Sequence, residues 1–414
     1  MKIDQLKQYK KILILGYGRE GAATEKFLKK FVPECEIGIA DIKDGSGYLD
    51  KQKSYDLVIK TPGIPKKLVQ IPYTTASNIF LANVNNTVIG LTGTKGKSTT
   101  ASLIHSIIVA AGKKSFLVGN IGQPALEILL NPINDDDIFV CEFSSYQLDD
   151  INYSPRISVI LDLYPEHMDY HGTVEAYYQA KKNILKFVKK SDYFVFNPKF
   201  SQLELWSKQT ICQTIPYETK ILLSEKEIPL IGEHNLDNIR AAVTVSHILK
   251  ISDDVISKAI KNFKPLRHRL QLVGSFNEII FYDDAISTTP ESTIFAVKTL
   301  KNIGTIFLGG LDRGYNFSDL VKNIIEYKIP NIVFFPETGI RILKLLPENE
   351  KNKRRILLTR NMEEAVKFAY QHTPKGTVCL LSTASPSYSI WKNFEEKGDL
   401  FQFFIKTLGN EKKN

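Results

Sequence analysis

The amino-acid sequence predicts an α/β protein, and two features of its 414 residues support this class. Short runs rich in β-branched and apolar residues alternate with longer stretches that have helical periodicity. Many of the short runs are apolar throughout, which is typical of parallel strands that are buried on both faces. We therefore expect parallel sheets with helices packed on them.

The predicted strands follow one another along the chain in this pattern. They are 11–16, 55–60, 86–93, 137–143, 156–163, 278–284, 304–310, 331–337 and 376–382. The first, KILILG, has consecutive aliphatic residues that end at a glycine. The clearest helical patterns between the strands are 98–111, 235–250, 290–301 and 362–372.

Two breaks in this alternation predict three domains, a number that also suits the chain length. The polar stretch ANVNNT near residue 85 separates a first α/β unit from the next one. The stretch NFKPLRHR (262–269) follows a helical pattern and precedes a fresh series of strands. The predicted domains are therefore 1–85, 86–262 and 263–414.

The composition narrows the classes of function. The net charge of +9 fits anionic ligands such as nucleotides, or reflects only a lysine-rich chain. No compact basic cluster with interleaved aromatic residues points to nucleic acid. The scattered cysteines are predicted to be reduced, not disulfide-bonded or zinc-bound; they are Cys35, Cys141, Cys212 and Cys379. Without a signal peptide or a run of membrane-spanning length, we expect a soluble cytoplasmic protein with no membrane partner.

The stretch LTGTKGKSTT (91–100) has the features of a phosphate-binding loop between a strand and a helix. Its glycines would let backbone N–H groups turn onto phosphate oxygens. Lys97 would reach the terminal phosphates, and Ser98 would ligate magnesium at the start of the helix. Leu91 stands where the common motif has a glycine, so the loop is a shorter variant that starts at Gly93. The phosphate would be hydrolysed, passed to a hydroxyl or used to activate another group.

Two side chains beyond this loop are candidate magnesium ligands. Glu142 ends one predicted strand and is followed by the polar run SSYQ, and His167 comes just after another strand. Ligands gather at the carboxyl ends of strands in open α/β sheets. By pattern alone, in contrast, Lys181 and Lys182 are typical of a solvated helix face.

The first predicted strand is followed by a weak dinucleotide-binding fingerprint. Gly16, Gly18 and Gly21 have its spacing, and Asp41 lies about 20 residues beyond Gly21. Taken alone, this motif leaves an NAD site open as one interpretation of the first domain.

A series of motifs over nearly the whole chain resembles the Mur ligases. The motifs are GLTGTKGKSTT (90–100), GNIG (119–122), EFSSYQL (142–148), YPEHMDYHG (164–172), YYQAKKNI (177–184), GEHNLDNIRAA (232–242), RHR (267–269), LGGLDRG (308–314) and KNFEEKGDLF (392–401). Each is moderately specific, and together they occur in the order of the family, most closely that of its glutamate-adding members. The resemblance implies a Rossmann-like first domain that binds a UDP precursor. It also implies a central P-loop ATPase-type domain and a Rossmann-like third domain that contacts ATP and the amino acid.

The activity implied by the resemblance is that of an ATP-dependent ligase of peptidoglycan precursor synthesis. Such enzymes place the γ-phosphoryl group of ATP on a carboxylate of a UDP-muramoyl precursor, and the amine of an amino acid then displaces phosphate. For this chain the implied substrates are UDP-N-acetylmuramoyl-L-alanine and glutamate, with D-glutamate favoured. The family also implies a monomer.

The resemblance assigns roles by position. The implied catalytic residues are Lys97, His167 and Lys181. Two Mg²⁺ ions are implied, one on Ser98 and Glu142 and one on His167 and a carbamylated Lys181. The implied ATP contacts are Gly93, Thr94, Lys95, Gly96, Lys97, Ser98, Thr99, Asn235, Asn238, Arg269 and Asp284, the last two after domain closure. The implied precursor contacts are Gly16, Gly18, Asp41, Ile42, Thr61, Pro62, Gly63, Asn120, Ser144 and Gln147. The implied amino-acid contacts are Thr288, Arg313, Ser387 and Phe394.

The third-domain motif YDDAISTTPES departs from the family. Members that use D-glutamate typically have asparagine, aspartate, serine and lysine ahead of alanine-threonine-asparagine. Here Asp284 and Thr288 are kept, whereas Ile286 and Thr289 replace the lysine and the last asparagine. A missing cation leaves an anion unpaired, which is costly in a closed site, and Arg313 would compensate only in part. Three alternatives stay open: ligation of L-glutamate, a folylpolyglutamate-synthetase-like ligase, and a nucleotide-binding scaffold without catalysis.

Overall fold

The computed structural model describes residues 1–411. The chain forms two compact units, one spanning Met1–Phe263 and one that begins at Lys264, and each has its own apolar core. No helix in this described part combines the length and the apolar character that a membrane span requires. All four cysteines are buried, and none of them forms a disulfide.

The first unit opens with a small parallel sheet. Its strands are β1 (Lys11–Leu15), β2 (Glu36–Ala40), β3 (Leu57–Lys60) and β4 (Tyr73–Thr74), in the order β2-β1-β3-β4. The accompanying helices are α1 (Ile3–Leu6), α2 (Arg19–Phe31) and α3 (Ala76–Asn83). Residues 12–15 of β1 are fully buried, as expected for a central strand covered on both faces.

A larger parallel sheet forms the rest of the first unit. Its strands are β5 (Thr87–Thr92), β6 (Ser115–Gly119), β7 (Ile138–Glu142), β8 (Ile157–Ile160), β9 (Tyr193–Phe196) and β10 (Gln213–Pro216), in the order β10-β9-β8-β5-β7-β6. Its helices are α4 (Lys97–Ala110), α5 (Ala125–Ile128), α6 (Ser145–Leu148), α7 (Met168–His171), α8 (Val174–Lys182), α9 (Ser201–Gln209), α10 (Glu233–Ile248) and α11 (Asp253–Lys261). Because β5 lies between β7 and β8, the segments that leave the carboxyl ends of these three strands are neighbours.

The second unit has a mixed sheet. Its strands are β11 (Gln271–Phe276), β12 (Ile279–Asp283), β13 (Ile303–Gly309), β14 (Asn331–Phe335), β15 (Arg355–Leu358) and β16 (Val378–Leu381), in the order β11-β12-β16-β13-β14-β15. Its helices are α12 (Pro290–Leu300), α13 (Ser318–Glu326), α14 (Thr338–Leu345), α15 (Glu348–Lys351), α16 (Met362–His372) and α17 (Phe394–Glu411). Only β11 runs antiparallel among these strands, because the two left-handed residues Asn277 and Glu278 join it to β12 and leave no room for a crossover.

The predicted α/β class is confirmed, and every predicted strand and the four clearest helices are present with ends shifted by a few residues. The prediction missed several short strands, among them the edge strands β2, β10 and β15. Half-buried and exposed positions interrupt the apolar pattern in these strands, so periodicity alone does not reveal them. The division into three domains at residues 85 and 262 stays a prediction.

Candidate functional site

The phosphate loop connects the end of β5 to the start of α4. Gly96 precedes the helix with a φ of 77°, and a Cβ at this position would clash with Asn238 Oδ1, so the loop requires glycine there. The helix begins at Lys97, so the N–H groups and the positive dipole of its first turn face the loop. This arrangement is suited to binding an anion such as phosphate.

The side chain of Lys97 folds back over the loop. Its Nζ donates hydrogen bonds to Gly93 O at 3.0 Å and to Thr94 O at 2.9 Å. Burial lowers the pKa of Lys97, although nearby carboxylates, first of all Glu142, act in the opposite direction. An anion bound in the loop would favour the charged ammonium further.

Asp162 supports the phosphate loop through hydrogen bonds to the loop backbone. It was not among the residues predicted from the sequence. It follows β8, and its carboxylate accepts hydrogen bonds from the backbone N–H groups of Thr94 and Lys95, the latter at 2.9 Å. Thr94 Oγ1 in turn donates to Tyr164 O at 3.1 Å. The available signal was an acid just after a buried strand, the same signal that singled out Glu142.

Lys181 is buried against the phosphate loop. Its Nζ donates to Gly93 O at 2.6 Å and lies 4.6 Å from the centre of the Tyr177 ring. Tyr177 OH lies 3.2 Å from Thr94 Oγ1, so the same tyrosine also contacts the loop. Burial, aided by the charge of Lys97, holds the pKa of Lys181 well below its ordinary value. The interpretation of Lys181 as a solvated lysine, made from helical pattern alone, was therefore wrong.

A cavity of about 280 Å³ in the first unit gathers residues from both of its sheets. The sequence-predicted residues that line it are Pro62, Lys97, Asn120, Ser144, His167 and Lys181. Ser145, Tyr146 and Tyr177 also line it and were not predicted. Their only signal was proximity, since the first two follow Ser144 and the third precedes Lys181 by one helical turn.

Glu142 lies at the end of β7 and supplies an unused acceptor. The residue is buried, and its Oε2 has no hydrogen-bond partner. A buried carboxylate oxygen without a partner is costly unless a cation binds it, and oxygen ligands suit Mg²⁺. Ser98, in the first turn of α4, is buried as well. Within residues 1–411 no group of three histidine, cysteine or acidic side chains could hold a metal, so phosphate oxygens and water would have to complete the shell.

His167 immediately precedes α7 with a φ of 60°, a left-handed conformation that is uncommon outside glycine. Its ring centre lies 5.1 Å from that of Tyr146, which also stacks on His171 at 5.6 Å. The adjacent Glu166 forms an ion pair with Lys95 of the phosphate loop at 2.8 Å. Aromatic packing and this ion pair therefore hold the His167 segment beside the loop.

The remaining predicted precursor contacts lie at the carboxyl ends of the first sheet. Gly16 has a φ of 92°, and a Cβ there would clash with Thr61 Oγ1. Asp41 accepts a hydrogen bond at 2.6 Å from the backbone that follows Gly16, and Ile42 is 72% exposed. These residues belong to one end of the sheet but do not line the cavity; the same holds for Gly18 and Gly63.

Gln147 does not line the cavity either, but it orients a residue that does. Ser144 N and Oγ donate to Gln147 Oε1 at 2.9 and 3.1 Å. Gln147 Nε2 donates to Glu20 Oε2 at 3.4 Å. Burial raises the pKa of Glu20 to about 7, although this hydrogen bond and the charge of Lys60 oppose the shift. Gln147 therefore links a cavity residue to α2.

Asn235 and Asn238 on α10 lie against the phosphate loop. Asn238 Oδ1 accepts from Thr100 Oγ1 at 3.1 Å, and Asn238 Nδ2 donates to Asn235 Oδ1 at 3.0 Å. Both residues are buried, and Asn238 touches Gly96. Their predicted contact with the adenine side of ATP stays a prediction.

In the second unit, Asp284 is buried directly after β12. It accepts hydrogen bonds from Leu270 N at 3.1 Å and Ser382 Oγ at 2.8 Å. Burial raises the pKa of Asp284 to about 6. The neighbouring Asp283 Oδ2 lies 2.7 Å from Nδ1 of His268, a buried residue that the sequence analysis did not select. The predicted Arg269 follows it and is half-buried.

The predicted amino-acid contacts are spread over the second unit. Ser387 is buried and its Oγ has no partner, whereas Arg313 is exposed and Thr288 is half-buried. Phe394 begins α17 and is half-buried.

Lys397, one turn further along α17, was not predicted. It is fully buried, its Nζ donates to a threonine hydroxyl at 2.5 Å, and burial lowers its pKa to about 7.

Comparisons with known proteins identify related sequences and related folds. Residues 91–222 match the family model described as the Mur ligase middle domain. The chain is 31% identical to UDP-N-acetylmuramoylalanine–D-glutamate ligase from Streptococcus pyogenes serotype M5 (strain Manfredo), over 97% of this chain and 98% of that protein. The MurF ligase from Thermotoga maritima in complex with ADP has a similar fold, with a TM-score of 0.63 at 16% identity over 96% of this chain and 95% of that one. UDP-N-acetylmuramate-alanine ligase MurC from Thermotoga maritima gives a TM-score of 0.62 at 16% identity over 96% and 99%. The chain therefore belongs to the Mur ligase family, as a relative of UDP-N-acetylmuramoylalanine–D-glutamate ligase.

Proposed function

We propose that this protein is an ATP-dependent ligase that joins glutamate, with D-glutamate preferred, to UDP-N-acetylmuramoyl-L-alanine in peptidoglycan precursor synthesis. The proposal rests on one observation: Lys97 of the phosphate loop, His167, Lys181 and Asn120 all line the same cavity. The name of the Streptococcus pyogenes relative supports the same substrates.

In the proposed reaction, the γ-phosphoryl group of ATP passes to the carboxylate of the precursor. The amine of glutamate then attacks the acyl phosphate and expels phosphate. Two anions must approach each other in the first step, so neutralisation of charge is the main requirement. Lys97 would exchange its carbonyl partners, Gly93 O and Thr94 O, for phosphate oxygens. The positive end of α4 would add to this stabilisation.

Two Mg²⁺ ions would neutralise the phosphate and carboxylate oxygens when bound. Ser98 and Glu142 would hold one of them, and the unpartnered, buried Glu142 Oε2 supports this assignment. His167 and a carbamylated Lys181 would hold the other.

The surroundings of Lys181 favour its carbamylation. Only the neutral amine adds to carbon dioxide, and burial and the charge of Lys97 both favour that form. The carbamate would replace an ammonium group by anionic oxygens. Its interaction with Lys97 would then be attractive instead of repulsive.

The UDP part of the precursor is proposed to bind at the carboxyl ends of the first sheet. The residues are Gly16, Gly18, Asp41, Ile42, Thr61, Pro62 and Gly63, with Asn120, Ser144 and Gln147 from the larger sheet. An NAD site here is the alternative, and competition between NAD and the UDP precursor in a binding assay would distinguish them. The remaining ATP contacts are proposed to be Thr94, Lys95, Gly96, Thr99, Asn235, Asn238, Arg269 and Asp284.

Glutamate is proposed to contact Thr288, Arg313, Ser387 and Phe394. The unpartnered Ser387 Oγ and the exposed guanidinium of Arg313 have free capacity for a carboxylate, which supports this assignment. Ile286, in place of the lysine of the family, is the observation that keeps L-glutamate as the alternative.

The deciding experiment incubates the purified protein with ATP, Mg²⁺, UDP-N-acetylmuramoyl-L-alanine and each glutamate enantiomer in turn. We expect phosphate release and a product of the right mass with D-glutamate. Release only with L-glutamate would support the alternative substrate. A parallel incubation replaces the UDP precursor by a pteroate acceptor, and release there would support a folylpolyglutamate-synthetase-like enzyme. No release with any acceptor would indicate a scaffold without catalysis.

The division into domains 1–85, 86–262 and 263–414, a monomeric state and a cytoplasmic location complete the proposal. Sedimentation of the purified protein at micromolar concentration tests the monomer. Limited proteolysis tests the boundaries, because exposed linkers between domains are cut first.

A further inference from the structure

A buried ion pair connects two walls of the cavity in the first unit. Lys60 Nζ and Asp150 Oδ2 lie 2.5 Å apart, and their side chains are 0% and 2% exposed. Lys60 is the last residue of β3 and stands two residues before Pro62, which lines the cavity. Asp150 lies two residues beyond α6, whose start also lines the cavity. The pair therefore joins the Pro62 wall to the wall formed by residues 144–146.

Asp150 is also the centre of further contacts with the first sheet. Tyr73 OH donates to Asp150 Oδ1 at 3.0 Å, and Asn78 Nδ2 donates to Asp150 O at 2.8 Å. One residue earlier, Asp149 Oδ1 accepts from Lys66 Nζ at 2.9 Å. The segment after α6 is thus held by β3, β4, α3 and the loop that follows β3.

Stability alone does not explain a charged pair at this depth. The cost of removing both charges from water offsets most of their attraction, so an apolar pair would hold the two walls at least as well. Neither Lys60 Nζ nor Asp150 Oδ2 has a hydrogen-bond partner of standard geometry, which weakens the pair further. Opposite charges favour one position of the two walls relative to each other. Any sliding of the walls would separate the charges in a medium of low dielectric constant, which costs electrostatic energy.

We propose that Lys60 and Asp150 are positioning residues that set the distance between the two cavity walls before the precursor binds. Neither residue lines the cavity, so they act through Pro62 and Ser144. A preformed site spares the cost of ordering its walls during binding. The inference rests on the proposed function, because the UDP precursor is the ligand expected at these walls.

The test replaces both partners together, since removing one would leave an uncompensated buried charge and endanger folding. Lys60→Met with Asp150→Asn removes both charges, nearly keeps the volumes and leaves an amide oxygen for Tyr73 OH. The matched control is Lys26→Met with Glu127→Gln. This double substitution removes the ion pair of Lys26 with Glu127, whose charged atoms lie 3.1 Å apart and whose side chains are 64% and 31% exposed. The pair connects α2, beside the small sheet, to α5, beside the larger sheet. Neither residue lines the cavity.

Calorimetry with UDP-N-acetylmuramoyl-L-alanine alone gives Kd, and phosphate release gives KM for each substrate. For the Lys60/Asp150 variant we expect Kd and the precursor KM to rise about tenfold, as for a competent arrangement populated about one tenth of the time. The ATP KM and the melting temperature should match those of the control variant. An unchanged Kd for the precursor, or an equal rise in the ATP KM, would overturn this inference and leave the proposed function standing. Failure of the wild-type protein to bind the precursor would overturn the proposed function as well.

Discussion

At the scale of single residues, Lys181 and Lys182 show how position decides the chemistry of an amine. Lys181 Nζ is buried against Gly93 O, whereas Lys182 Nζ reaches Gln209 Oε1 at 2.8 Å on the outside of the helix. Burial and the charge of Lys97 lower the pKa of Lys181 and make its neutral form available. Only the first of the two adjacent lysines is therefore expected to take part in the reaction.

Replacing Lys181 by alanine is expected to reduce phosphate release about 100-fold or more, the size of effect seen when a preorganised charged group is removed from a reacting centre. Formate or acetate should restore part of the activity, because a small carboxylate fits the vacated space and replaces the carbamate oxygens. Lys182→Ala is the control and should keep full activity without added acid. Full activity of Lys181→Ala would show that the carbamate assignment is wrong.

Asp284 is expected to cost stability at neutral pH. Burial raises the pKa of Asp284 from 3.8 to about 6. The stability that the protonated carboxyl group contributes is therefore fully present below pH 3.8 and is lost as the pH rises through about 6. Two pKa units correspond to about 3 kcal/mol. Asp284→Asn should therefore raise the free energy of unfolding by about 1–3 kcal/mol at pH 7.5 and by little at pH 4, while activity falls.

Urea denaturation at both pH values measures this difference. The control is Asp319→Asn, because the ion pair of Asp319 with Lys322 is exposed to solvent and its loss should leave the free energy of unfolding nearly unchanged at both pH values. A gain for Asp284→Asn that is equal at the two pH values would contradict the assigned pKa.

At the scale of elements, the strand, loop and helix formed by β5, the phosphate loop and α4 organise the site. The central position of β5 brings the ends of β7 and β8, with Glu142 and Asp162, to either side of the loop. A short loop of this kind can follow the phosphate only if a glycine takes the left-handed conformation ahead of the helix. Gly96 meets this need, and α10 packs against it.

Gly96→Ala is expected to weaken ADP binding at least about tenfold, because its Cβ would push against Asn238 and open the loop that holds the phosphates. Gly112→Ala is a matched control. Gly112 has a φ of 74°, close to the 77° of Gly96, but no atom lies within 4 Å of an added Cβ. Both variants should lose a similar 1 kcal/mol or so of stability from the left-handed backbone. Equal loss of ADP affinity in both would show that strain, and not the loop, causes the effect.

At the scale of the whole molecule, two units with separate apolar cores carry different parts of the proposed chemistry. The first unit contains the phosphate loop and the cavity, and the second contains the buried polar group of His268, Asp283, Asp284 and Lys397. Each unit has its own apolar core, so we expect that neither fold needs a bound ion.

Chelation of divalent ions is therefore expected to abolish phosphate release while leaving the melting temperature of the nucleotide-free protein within about 2 °C. No cluster of three metal-ligating side chains exists within residues 1–411, which is the reason for the second expectation. Scanning calorimetry with and without EDTA, followed by addition of Mg²⁺ to restore activity, measures both effects. A large drop in melting temperature would reveal a structural metal instead.

The sequence by itself determined the α/β class, the order of the principal strands and helices, the phosphate loop and the family. These features are encoded in neighbouring residues, as apolar periodicity or as short motifs, and so they can be recognised without a structure. Even the replacement at Ile286 was visible, because it falls inside a motif.

Only the tertiary structure decided which side chains are buried together. The contact of Lys181 with Gly93, the support of the loop by Asp162 and the pairing of Lys60 with Asp150 join residues that are 88, about 68 and 90 positions apart in the chain. No local pattern specifies such pairs, since burial and the electrostatic environment of a charge depend on what the rest of the fold places around it.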